Sequence, residues 1–448
     1  MIPKLAYKHY ILGLLTVVAV FNYLDRFVLS LLLEPIKQEF QLSDSQLGLL
    51  SGFAFTLFYA LAGIPIARWA DRGNRNTVVT VTTALWSAMV ALFGLAGNFS
   101  QLLLVRVGVA VGEAGCLPPA QSLIADYFNR AERPRAMAIY WMCGPIATII
   151  GYLGGGWLAE SVGWRMTFMV MGVPGILLAV LVKLTLREPR LKQKLILAIE
   201  QPSFKDVLNT LWQQHSFRYI VTAFFMAYFF FAGITLWVPT FFMRSHGMET
   251  GELGTWFAFS WGVGGILGTY LGGFMATRYA AHKEALQMRS IALVLVLWGL
   301  LYAMVFLSSN EYSALAFMTA AGIVGVLPTG PVFSAIQSLV NDRMRSVAIA
   351  LTFLLANLVG LGLGPLAVGV LSELLAPKFG QESLRYASVF FIPGVLFVSY
   401  YYWKAADTIE DDILRIELEA RSMEIKVITL ESDTPKLNID SYVRNEDV

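Results

Sequence analysis

The chain has 448 residues, of which 56% are apolar and only 14% charged, against about 25% charged in soluble domains. That balance excludes a soluble enzyme, a disordered scaffold and a disulfide-rich secreted module, and a net charge of +2 argues against a nucleic-acid partner. The two cysteines, Cys116 and Cys143, lie inside apolar runs and read as small buried hydrophobes, with no disulfide framework and no metal cluster.

A membrane-crossing helix needs about 20 mostly apolar residues. Twelve such runs follow one another, near 10–33, 47–69, 77–97, 101–126, 134–159, 165–186, 217–243, 252–277, 286–308, 312–340, 346–374 and 385–404. The first is not a cleaved leader, because Asp25 and Arg26 interrupt it and no small-residue cleavage site follows. The expected fold is an all-α integral membrane protein of 12 transmembrane helices. It comprises a six-helix bundle over 1–186, a connection at 187–216, a second six-helix bundle over 217–404 and a tail at 405–448. Loops on the N-terminal side carry twenty Lys and Arg against five on the other, which predicts that both termini are cytoplasmic. Compact loops point to a bacterial inner membrane.

Taken in order, span one carries Asn22-Tyr23-Leu24-Asp25-Arg26 and span four carries Arg106 and Glu113. At 1.5 Å per residue, Asp25 stands roughly 22 Å along span one and Glu113 roughly 18 Å along span four, so both reach mid-depth. Arg106 and Glu113 are seven apart and share a helix face. Each such charge costs about 2.5–3.5 kcal/mol to insert, so four at similar depth need a reason. One is proton coupling. Asp25 or Glu113 would carry the proton. Arg26 or Arg106 would read an anionic head group or hold the acids, with Tyr23, Asn22 and Gln121 alongside. The competing reading is an ion network that only fixes helix packing.

The second half repeats the first at an offset of 206: Leu42–Gly48 aligns with Met248–Gly254, Phe53 with Phe259 and Arg72 with Arg278. Parallel repeats of six spans, with a site between them, typify a class of secondary transporters. At that offset Asp25 falls on Phe231 and Arg26 on Ala232, so the charges belong to the first half alone. The second half offers the aromatic run 224–231 instead. This suggests a polar half for head group and proton, facing an apolar half for an acyl tail. Tyr228, Trp237, Ser334, Gln337 and Asn357 are candidate pocket-lining residues. Gly144-Pro145 in span five and Gly360-x-Gly362-x-Gly364-Pro365 in span eleven are candidate hinges. In the tail, Ile409, Ile413, Ile416 and Ala420 form one stripe, with Thr408 and Asp411 as candidate caps.

The loop after span two, Ala67-Arg-Trp-Ala-Asp71-Arg72-Gly73-Asn74-Arg75, resembles the G-x-L-A-D-R-x-G-R signature of the major facilitator superfamily, with Ala67 and Asn74 in place of glycine. Span four, with Arg106-Val-Gly108 and Gly112-Glu113-Ala114, is similar to that superfamily's R-x-G-x-G-x-G motif. A narrower resemblance is to the Spinster-like carriers, through Asn22–Arg26, Gly112–Pro118, Asp126-Tyr127-Phe128, Gly163-Trp164-Arg165, Gly172–Gly175 and Arg187-Glu188-Pro189. The organic-anion and sugar-acid symporters share the first two of these. The resemblance implies that the matching Asp, Arg and Glu form the coupling site. It also implies a gate in which Asp71, beside Arg72, latches the N-terminus of span eleven while Arg75 pairs with Asp126. The expected function is proton-coupled transport of a lysophospholipid or a sphingosine-1-phosphate-like amphiphile by a monomer, with no cofactor beyond the proton gradient. The alternative is proton symport of a sugar acid or other small organic anion. A membrane enzyme has no nucleophile motif, P-loop or metal spacing behind it.

Overall fold

The computed structural model describes residues 4–189, 211–280, 283–340, 345–416 and 418, and every regular element among them is a helix. Nine stretches are long and apolar enough to cross a membrane. Two of these each contain two crossings. Arg133–Thr185 turns back at Gly163, and Leu351–Ala406 turns back at Gly380, both at positive φ where glycine has no Cβ to clash. The broken helix Thr250–Phe257, Ala258–Val263, Gly264–Tyr279 supplies one more, giving the twelve crossings expected.

Several spans are built in pieces, and the sequence explains the breaks. Span one is continuous over Lys4–Phe40. Span two is Asp44–Gly48, a π-helical turn Leu49–Phe53, then Ala54–Arg72. Span four is Phe99–Glu113 followed by Leu117–Tyr127, parted just before Pro118. Span seven parts before Pro239 into His215–Thr235 and Val238–His246. Span eleven is Arg345–Leu355, a second π turn Ala356–Leu361, and Gly362–Phe379. Such turns are frequent at functional sites.

Because the crossings are even in number, the two chain ends share one end of the bundle, the terminal end; the other is the distal end. At the distal end the halves meet backbone to backbone. A Cβ on Gly48 would stand 2.7 Å from Pro365 O, and one on Gly52 would stand 2.7 Å from Gly362 O. Glycine therefore permits spans two and eleven to touch. Trp157 Nε1 donates to Thr255 Oγ1 at 3.0 Å nearby. At the terminal end, Leu61, Ile64 and Trp69 of span two are exposed.

The tail packs as far as it is described. Ile409 is fully buried, and Ile413 and Ile416 lie on the core of the second half. Asp412 accepts the Ser216 N–H at the start of span seven at 2.8 Å, while Asp411, a candidate cap of the tail stripe, is exposed. Ala420 and most of the 187–216 connection lie outside the described residues.

Candidate functional site

The four intramembrane charges come together as two ion pairs. Arg106 Nη1 donates to Asp25 Oδ2 at 2.6 Å. Arg26 donates from Nε to Glu113 Oε2 at 3.0 Å, and its Nη2 donates to the same oxygen. The pairs differ in access. Asp25 and Arg106 are each 4% exposed and Glu113 is sealed, but the Arg26 side chain is 26% exposed. The expected single cluster is thus an inner pair and a pair that presents one guanidinium outward. Asp25 Oδ1, Glu113 Oε1 and Arg106 Nε have no partner among the described residues.

Aromatic rings surround these charges. Arg26 lies over the rings of Tyr23, Phe55 and Tyr59, at 5.1, 4.6 and 5.5 Å. Arg106 lies over the same Phe55 ring, at 4.3 Å. Tyr23 was expected here; Phe55 and Tyr59 were not, because uncharged aromatics in an apolar run carry no signal of their own. Asn22 is fully buried and neither of its amide atoms has a partner among the described residues. Gln121 is partly buried.

At the terminal end, Arg75 is fully buried and meets Asp126 at 2.6 Å. It also binds Glu188 through its backbone N–H at 2.7 Å and its side chain at 2.5 Å, and donates to Ser122 Oγ at 2.8 Å. Glu188 stood in the sequence as part of Arg187-Glu188-Pro189, but without its partner. Asp71 and Arg72 are exposed.

The distal end carries a second charge network that loop charges had marked only for topology. Arg244, in the last turn of span seven, binds Asp44 at 2.7 and 2.9 Å and Glu34 at 2.7 Å. Asp44 also accepts from Lys37 at 2.6 Å and from Ser372 at 2.7 Å. Ser45 bonds Glu373 alongside. Residues of both repeats therefore close this end. Asp44 lies within the heptapeptide that the repeat aligns, the one sequence signal available for it.

The second half carries a partly open cavity of about 260 Å³ lined by Phe224, Tyr228, Phe231, Trp298, Phe333 and Tyr402 among others. Tyr228 is among the residues that line it. Trp237 is not: it is fully buried, with its indole N–H on Pro365 O at 3.0 Å, and serves the contact between spans seven and eleven. Ser334 and Gln337 are exposed, and neither they nor Asn357 line this cavity. Leu361 forms one wall, and the adjacent Gly362 packs on Thr56, next to Phe55. The cavity wall thus borders the contact of spans two and eleven.

Residues 15–365 match the model of the Major Facilitator Superfamily. An MFS-type efflux pump of Mycolicibacterium smegmatis is 34% identical over 406 residues, covering 90% of this chain and 93% of that protein. The crystal structure of a bacterial homolog to the human lysosomal transporter Spinster, inward-facing and unoccupied, superposes with a TM-score of 0.81 at 29% identity, covering 91% of this chain and 98% of that one. A probable L-galactonate transporter of Escherichia coli is 35% identical over 167 residues, 37% of each chain.

Proposed function

The chain belongs to the major facilitator superfamily and is Spinster-like, and from that premise we propose that this membrane transporter couples proton movement to the passage of an amphiphilic anion. Lysophospholipids and sphingosine-1-phosphate analogues are the substrate class. The observation that carries the proposal is the unequal access of the two ion pairs: a quarter-exposed Arg26 holds a sealed Glu113.

The chemistry follows from that geometry. A guanidinium presents a fork that suits phosphate or carboxylate and does not deprotonate. An anionic head group reaching Arg26 competes with Glu113 for its N–H donors. A buried carboxylate stripped of its counter-charge is far more stable protonated. Substrate engagement at Arg26 thus loads Glu113 with a proton, and release reverses both. The inner Asp25–Arg106 pair fixes spans one and four while this happens. The aromatic cavity of the second half supports the apolar part of the reading, since its lining is mostly aromatic and aliphatic.

In this proposal the terminal end faces the cytoplasm, and the molecule is in the state open to that side. The distal network of Glu34, Asp44 and Arg244 closes the outside. Asp71 would take up its latch on span eleven only in the opposite state. The protein acts as a monomer in a bacterial inner membrane.

A second reading, proton symport of a sugar acid, draws on the similarity to the L-galactonate transporter over part of the chain. Arg26 would then read the acid's carboxylate. Uptake into proteoliposomes under an imposed inward proton gradient separates the two, with labelled lysophospholipid and labelled sugar acid in parallel and Asp25→Asn and Glu113→Gln as controls. Gradient-driven lysolipid movement that Glu113→Gln abolishes supports the proposal. Sugar-acid uptake alone transfers the coupling site to the second reading. Lipid movement indifferent to gradient and variants refutes coupling and returns the charges to a packing role.

A further inference from the structure

Phe55 belongs to neither span that holds the charges, yet both guanidiniums rest on its ring, Arg106 at 4.3 Å and Arg26 at 4.6 Å. It is 5% exposed and stacks on Tyr59, whose ring Arg26 also covers. A cation within about 6 Å of a ring centroid is attracted to the ring, more strongly when both are out of water. One buried phenyl ring therefore helps to place two cations at once, each against its own carboxylate.

The position of Phe55 along span two adds the second half of the inference. It sits two residues after the π turn Leu49–Phe53 and next to Thr56, which packs on Gly362. Gly48, just before that turn, and Gly52, within it, are points where span two touches span eleven. Any rearrangement that parts spans two and eleven at the distal end shifts the helix that carries Phe55. Spans one and four hold the charges and are tied to each other by both ion pairs.

We infer that Phe55 is a positioning residue, through which the separation of spans two and eleven is transmitted to the Arg26–Glu113 pair. With Phe55 in place, Arg26 is held on Glu113. When span two withdraws the ring, Arg26 is freed toward the cavity and Glu113 loses its counter-charge. The inference rests on the coupling reading above for its purpose, but its physical content, control of Glu113 by Phe55, is separable from transport.

The test measures protonation directly. The infrared band of the protonated Glu113 carboxyl is followed across pH in the purified full-length protein, with Glu113→Gln identifying the band. Phe55→Leu removes the ring. Fluorinated phenylalanines placed at residue 55 keep its shape and weaken its face progressively, which guards against a leucine variant that does not fold. The expected result is a move of the Glu113 midpoint to higher pH by about one unit for Phe55→Leu, graded along the fluorine series, with Phe55→Tyr close to wild type. A midpoint that ignores fluorination overturns the inference and leaves Phe55 as filler. Loss of gradient-driven uptake in Glu113→Gln tests the coupling reading separately. If that variant transports normally while the fluorine series still moves the midpoint, the positioning role stands and the coupling reading falls.

Discussion

Arg26 gives two N–H donors to one oxygen of Glu113, and three aromatic rings surround its guanidinium. A lysine there would keep the charge but lose the planar fork that makes both contacts. Arg26→Lys should therefore lower gradient-driven uptake by about tenfold, since a hydrogen bond to a charged group contributes about 1.5–3 kcal/mol. Initial rates in proteoliposomes check this, and a full rate would mean that charge alone is enough. Arg75 tests the opposite case, a charge whose work is structural. Its removal in Arg75→Ala takes the guanidinium away from Glu188, which is 2% exposed, and breaking a buried pair costs up to about 3–5 kcal/mol. A clear drop in thermal stability of the purified protein is expected, larger than for Asp71→Ala at an exposed site.

Spans two and eleven illustrate how an element is shaped by what it touches. Both carry a π turn, and both place glycine where the other's backbone arrives. Gly48→Ala or Gly52→Ala puts a methyl group against carbonyl oxygens that cannot rotate aside. Overpacking of this kind costs about 1–3 kcal/mol, and the helices can escape it by parting. Spin-label distances across the distal end should lengthen in both variants, and an unchanged distribution would show that the contact is slack. The Gly360-x-Gly362-x-Gly364-Pro365 run was readable as a hinge candidate from spacing alone. Its use as a landing site for span two was not, because nothing in span eleven names its neighbour.

For the whole molecule, alternating access requires that closure at one end exclude closure at the other. The distal end is held by Arg244 between Asp44 and Glu34, and removing Arg244 leaves two carboxylates buried without it. The resulting loss of about 3–5 kcal/mol is comparable to the roughly 5.5 kcal/mol that inverts a two-state population from 1:99 to 99:1. Arg244→Ala should therefore populate the distally open state, while Asp71→Ala, by removing the proposed terminal latch, should deepen the present one. Spin-label pairs at both ends read the two shifts, and movement in the same direction for both variants would defeat the two-gate scheme.

Span number, the four intramembrane charges and the partnership of Arg75 with Asp126 were legible in the chain itself. Hydrophobic length and the cost of a charge in lipid are local properties, and the last pairing is carried by a recognisable motif. Partner choice was not legible. Asp25 meets Arg106 across 81 residues, Arg26 meets Glu113 across 87 and Asp44 meets Arg244 across 200. Which acid faces which base depends on how helices lie beside one another, and either pairing would satisfy the composition. The same holds for exposure. Arg26 and Asp25 are neighbours in sequence, yet only the packing of spans one, two and four leaves one a quarter exposed and seals the other. Phe55 marks the limit most clearly, since an apolar residue in an apolar run acquires a role only when two cations are folded onto its ring.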